Sequence, residues 1–103
     1  MKTLRKVIAA QKLHERRGTL VTVDGRDIVL FRRGDAVCAI SNVCAHQHFS
    51  MLHHGPVKEF EVTCPMHGWT YDIRTGKSTT GQGNVAVYPV KVTGNDVFVE
   101  IED

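Results

Sequence analysis

A chain of 103 residues has the length of one small domain, and 42% apolar with 23% charged residues is the balance of a folded globular protein rather than a disordered or fibrous one. The formal net charge of +2 is too small, and the cations too dispersed, for the dense basic face that nucleic-acid binding uses. No window approaches the roughly 18 apolar residues of a membrane-crossing helix. The three cysteines cannot all pair, so reduced thiols or metal ligands are expected, and with them a cytoplasmic location.

Residues 1–17 hold Lys2, Arg5, Lys6, Lys12, Arg16 and Arg17 against Glu15 alone, a net +5. The apolar run Val7-Ile8-Ala9-Ala10 is too short for a signal peptide. This stretch reads as a solvated face, with steering of an acidic partner as its functional alternative. A helical turn fits only residues 9–17, where Gly18 stops it.

Strand signals dominate from there on. Residues 19–23 alternate, Asp24-Gly25 supplies the two residues that tolerate positive φ in a type I′ turn, and Ile28-Val29-Leu30-Phe31 returns. Arg33-Gly34-Asp35 turns the chain into a buried strand over 36–40 that leads to Cys44. Residues 44–55 read as loop, and residues 57–63 as one short strand of imperfect alternation ending at Cys64. After a second loop, Thr70-Tyr71-Asp72 and the turn 74–77 predict a small hairpin, followed by a polar connection over 79–84. Strands are predicted over 85–88, 90–92 and 97–101, with Pro89 marking an edge or bulge because it cannot donate to a ladder. The whole is all-β, one domain over 1–103.

Two loops each carry one cysteine and one histidine: Cys44-Ala45-His46 and, 17 residues further on, Cys64-Pro65-Met66-His67. Thiolate and imidazole are the ligands that soft iron and zinc centres select, and two loops braced by strands bring four such donors to one point. A structural zinc site is the first competitor, but its usual spacing puts both cysteines in one pair and both histidines in the other. Here both pairs are mixed. A two-iron cluster accommodates mixed pairs, because neighbouring ligands reach different irons.

The segments 39–46 and 64–76, with Val87-Tyr88-Pro89-Val90 and the strand 97–101, resemble the Rieske family, whose signature is C-x-H, a spacer of this length, then C-x-x-H. The resemblance spans nearly the whole chain. It implies an antiparallel β-sandwich base with a small cluster-binding subdomain at about 43–72. It also implies a [2Fe-2S] cluster held by Cys44 and Cys64 on one iron and by His46 and His67 on the other. The expected role is a Rieske-type ferredoxin, a one-electron carrier and not itself an enzyme, passing electrons from a flavoprotein reductase to a terminal oxygenase of the aromatic-ring dioxygenase type. Its partners are then transient, and the carrier is expected to be a monomer. Alternatives are a small subunit resembling that of assimilatory nitrite reductase, or a zinc or iron-sulfur interaction or sensor module. A complete oxygenase is not expected in 103 residues.

Two thiolates neutralise an oxidised two-iron, two-sulfide core and two neutral imidazoles leave it so, which eases reduction into the range of about −150 to +300 mV. High-potential relatives carry a disulfide between the loops, at the places of Phe49 and Met66 here, and a serine where this chain has Trp69. Tyr71 keeps the phenol that donates to a cysteine sulfur in the family. The expected potential is therefore low, within about 100 mV of −150 mV. Of the remaining candidates, Trp69 and Cys38 read as core, His14 as surface, and His48, His53 and His54 as a solvated loop, with partner docking as their functional alternative.

Overall fold

The computed structural model describes residues 2–44, 50–65, 68–80 and 83–102. Among the described residues, ten strands form three antiparallel sheets. The central sheet holds β2 (Thr19–Val23), β3 (Arg26–Arg33), β4 (Ala36–Ser41) and β8 (Val87–Tyr88) in the order β2-β3-β4-β8. On one side lies β1 (Lys2–Ala9), β10 (Asp96–Glu102) and β9 (Val90–Thr93), with β10 in the middle. The third sheet is the small meander β5 (Val57–Lys58), β6 (Glu61–Thr63) and β7 (Thr70–Asp72).

The unbroken apolar run of β3 follows from this layering. Ile28 and Leu30 pack with Ala39 of β4 and with Val97, Val99 and Ile101 of β10. Val29 and Phe31 point the other way and pack with Ile40, Leu52, Val62, Tyr71 and Ile73. A strand covered on both faces needs no polar alternation. The strand β10, covered on one face only, does alternate: Val97, Val99 and Ile101 are buried between Phe98, Glu100 and Glu102.

The β2–β3 hairpin turns as predicted, with Asp24 and Gly25 both in the left-handed region at φ of 50° and 77°. Pro89 sits between β8, an edge of the central sheet, and β9, an edge of its neighbour, where the missing donor leaves no gap in a ladder. The helical turn is present as a 3₁₀ turn over Ala10–Lys12.

Two expectations are corrected. Strands do not begin only at residue 19: the cations of the basic stretch are exposed as expected, but residues 2–9 form β1, paired with β10 from Lys2↔Glu102 to Ala9↔Asp96. Its charge conceals an edge strand whose cations find acids, Arg5 on Asp24 at 3.2 Å and Lys6 on Asp96 at 3.1 Å. The segment 57–63 is also not one strand. Glu59 enters the left-handed region at φ of 55°, and the chain folds back so that Val57 faces Val62. That reversal is why its alternation was imperfect.

Candidate metal centre

The two buried cysteines stand where strands give way to loops. Cys44 follows β4, and the segment beyond it is closed by a bridge between Val43 and Ser50. Cys64 follows β6, in a hairpin whose other arm, β7, returns at Thr70, opposite Thr63. The second loop is tied across its base by the Cys64 amide donating to the Trp69 carbonyl at 2.7 Å and the Gly68 amide donating to the Cys64 carbonyl at 3.0 Å. Gly68 has a φ of 77°, a left-handed conformation that suits glycine.

Both thiols lie in the same core cluster, at 0% and 1% exposure, with Trp69 packed against it. Neither is in a disulfide. The Tyr71 hydroxyl lies 3.2 Å from Cys44 Sγ in a fully buried contact. With Cys44 as a thiolate, the phenol is the donor, and a hydrogen bond from a neutral hydroxyl to a thiolate is the kind that stabilises added negative charge. The expected role of Tyr71 therefore has its geometry. Two buried thiols, joined in one cluster and served by a hydroxyl donor, suit the sulfur half of the ligand set. The expectations for His46, His67 and His48 lie outside the described residues.

A hydrogen-bonded hub anchors the first loop. Asn42 is fully buried. Its Nδ2 donates to Ser50 Oγ at 2.7 Å and to His53 Nδ1 at 2.8 Å, and its Oδ1 accepts the His53 amide at 2.6 Å. Its backbone carbonyl accepts the amides of Met51 and Leu52, both at 3.1 Å. Ser50 Oγ in turn donates to Asp27 at 2.7 Å, which also receives Thr22 Oγ1 at 3.1 Å. Both ends of the first loop are thereby fastened to β3 and to each other. Gly55, next in line, lies so close to Thr63 that a Cβ there would collide with the Thr63 carbonyl, one residue before Cys64.

Asn42 is the site residue that sequence reading passed over; the available signal was an amide at the exit of an apolar strand, two residues before Cys44. Replacing it by alanine strands the His53 amide and the groups facing Nδ2, so Asn42→Ala is expected to cost about 2 to 4 kcal/mol of stability in urea unfolding. A cost under about 1 kcal/mol contradicts the hub.

His53 is likewise not a solvated loop residue. Because its Nδ1 accepts from Asn42, the ring is neutral and carries its proton on Nε2. Burial, and after it the neighbouring His54, hold its pKa below the ordinary 6.5, with Asp27 opposing. The unfolded chain therefore takes up this proton first as pH falls. Stability from this group is complete above about 6.5 and declines as pH drops through the lower folded value. Urea midpoints measured from pH 7 to pH 5 are expected to fall more steeply for the parent chain than for His53→Asn; parallel slopes contradict it.

Cys38, on β4, is half-buried against the same core cluster. Burial, then the charge of Asp72, push its thiol pKa up, with Arg74 opposing, as befits an inert core thiol rather than a ligand. His14 is exposed, as expected.

The family model of the Rieske [2Fe-2S] domain matches residues 3–93. The naphthalene 1,2-dioxygenase system ferredoxin component of Pseudomonas aeruginosa is 30% identical over 83 residues, 79% of each chain. Among solved structures, the ferredoxin of carbazole 1,9a-dioxygenase from Nocardioides aromaticivorans IC177 superposes with a TM-score of 0.88 at 34% identity, covering 94% of this chain and 96% of that one. The Sphingomonas yanoikuyae B1 ferredoxin reaches a TM-score of 0.88 at 20% identity, over 97% of this chain and all of that one, a likeness of fold.

Proposed function

This chain belongs to the Rieske [2Fe-2S] domain family, and on that premise we propose that it is the ferredoxin component of a ring-hydroxylating dioxygenase system, carrying single electrons from a flavoprotein reductase to a terminal oxygenase. The observation that carries the reading is the buried pair Cys44 and Cys64 with the Tyr71 hydroxyl on Cys44, in a chain that matches a dioxygenase ferredoxin over nearly the full length of both. It acts as a carrier and not as a catalyst.

Cys44 and Cys64 would hold one iron as thiolates, and His46 and His67 the other as neutral imidazoles. A [2Fe-2S] cluster held so supplies one-electron chemistry at a potential raised above that of an all-thiolate centre. The rest falls to the polypeptide. Leu52, Val62 and Ile73 keep water from the protein side of the thiols. Tyr71 donates to Cys44 Sγ and draws off part of its charge. Asn42, Ser50 and Asp27 hold the first loop still, so that little reorganisation accompanies a change of charge.

The unit is a single domain over 1–103, its cluster-binding part spanning about 43–72. It works in the cytoplasm as a monomer, meeting its two partners transiently. No described helix is long and apolar enough to cross a membrane, and none of the three cysteines is in a disulfide.

Chain produced with ample iron and sulfide is expected to be coloured, to be reduced by one electron per chain by NADH and a flavoprotein reductase, and to be reoxidised by a ring-hydroxylating oxygenase in stopped-flow mixing. A colourless, zinc-loaded product overturns the proposal. Recovery in a tight complex with a large haem flavoprotein assigns instead the small-subunit role of nitrite reduction.

A further inference from the structure

Beside the thiol centre lies a second feature that electron carriage does not use. The segment after the first 3₁₀ turn and the turn Leu52–His54 enclose an open cleft of about 390 Å³, lined by His14, Arg17, Gly18, Thr19, His53 and His54. No acidic residue lines it. Arg5 and Lys6 on the same stretch are matched by acids, but among the described residues no carboxylate pairs with Arg17, whose guanidinium donates to His14 Nε2 at 3.4 Å.

The donors of this cleft outnumber its acceptors. His53 has spent its acceptor nitrogen on Asn42, which leaves Nε2–H as a donor. Gly18 lies on Val29 and Phe31 too closely to admit a Cβ, which fixes the backbone next to Arg17. A planar guanidinium beside an imidazole N–H donor is the chemistry that recognises a carboxylate.

We propose that this cleft receives an aspartate or glutamate side chain of a protein that docks on the ferredoxin. The inference rests on the carrier reading. The turn that forms one wall is the same turn that Asn42 ties to the first ligand loop, so a partner seated here lies against the lobe holding the thiols. Openness to solvent and uncompensated positive charge favour an acidic protein surface over a small enclosed ion.

The test uses the cluster-loaded chain and poly-L-glutamate as the acidic surface, titrated calorimetrically at low ionic strength. Arg17→Glu is expected to weaken binding at least about tenfold, an effect that fades as salt is raised. Arg16→Glu makes the same charge change outside the lining, and is expected to weaken binding less than about twofold. Equal losses for Arg16→Glu and Arg17→Glu overturn the cleft in favour of diffuse charge attraction. Competition by millimolar acetate or phosphate overturns the partner carboxylate in favour of a free anion. The visible spectrum and midpoint potential of the same samples report separately on the carrier reading, so its failure and the failure of the cleft are told apart.

Discussion

Replacing Tyr71 by phenylalanine is expected to lower the midpoint potential of the cluster-loaded chain by about 40 to 90 mV while leaving the fold and the visible colour in place. The hydroxyl lies 3.2 Å from Cys44 Sγ in a fully buried contact. Its hydrogen bond is worth more when the sulfur carries more charge, that is, in the reduced state. A differential of about 1 to 2 kcal/mol, within the usual strength of hydrogen bonds to charged groups, converts to about 40 to 90 mV for one electron. The ring stays, so the packing against Val62 and Ile73 is kept. A potential unchanged by Tyr71→Phe shows that this hydroxyl does not tune the centre. The same bond bears on the absolute value: with Trp69 at the place of the serine donor of high-potential relatives, the potential is expected near the low end of the family range.

The second large effect separates the three cysteines. Cys44→Ala and Cys64→Ala are each expected to abolish the visible absorbance, because one of the two thiolates that would hold one iron disappears, and to lower the melting temperature by removing a cofactor that binds only the folded state. Cys38→Ala is expected to keep the full absorbance, with only the modest loss of a half-buried core contact. All three side chains belong to the same or the adjoining packing region, so a purely structural role for Cys44 and Cys64 predicts graded stability losses with no difference in colour. Iron content and absorbance on the three variants distinguish the two.

Much of this was legible in the residues. Asp24-Gly25 dictates its turn because both residues tolerate positive φ, and both adopt it. The run Ile28–Phe31 announces a strand covered on both faces, and Cys44 and Cys64 announce themselves by pairing with histidines at short spacing. What could not be read depends on contacts between distant segments. The strand β1 was hidden because four of its eight residues are exposed and its pairing partner β10 lies at the other end of the chain, Lys2 facing Glu102. Glu59 takes a left-handed conformation that glycine or asparagine would have advertised and glutamate does not. Asn42 meets His53 across eleven residues of sequence, and only the fold shows that a histidine with the look of a loop residue serves as its acceptor.

The central claim is that sulfur holds one iron and imidazole nitrogen the other. Electron paramagnetic resonance of the dithionite-reduced chain reads this directly. Mixed ligation is expected to give an average g value below that of an all-thiolate two-iron cluster, with nitrogen hyperfine couplings from two histidines that vanish one at a time in His46→Ala and His67→Ala. An all-thiolate signature without nitrogen coupling, or a silent spectrum from a zinc-loaded chain, contradicts it.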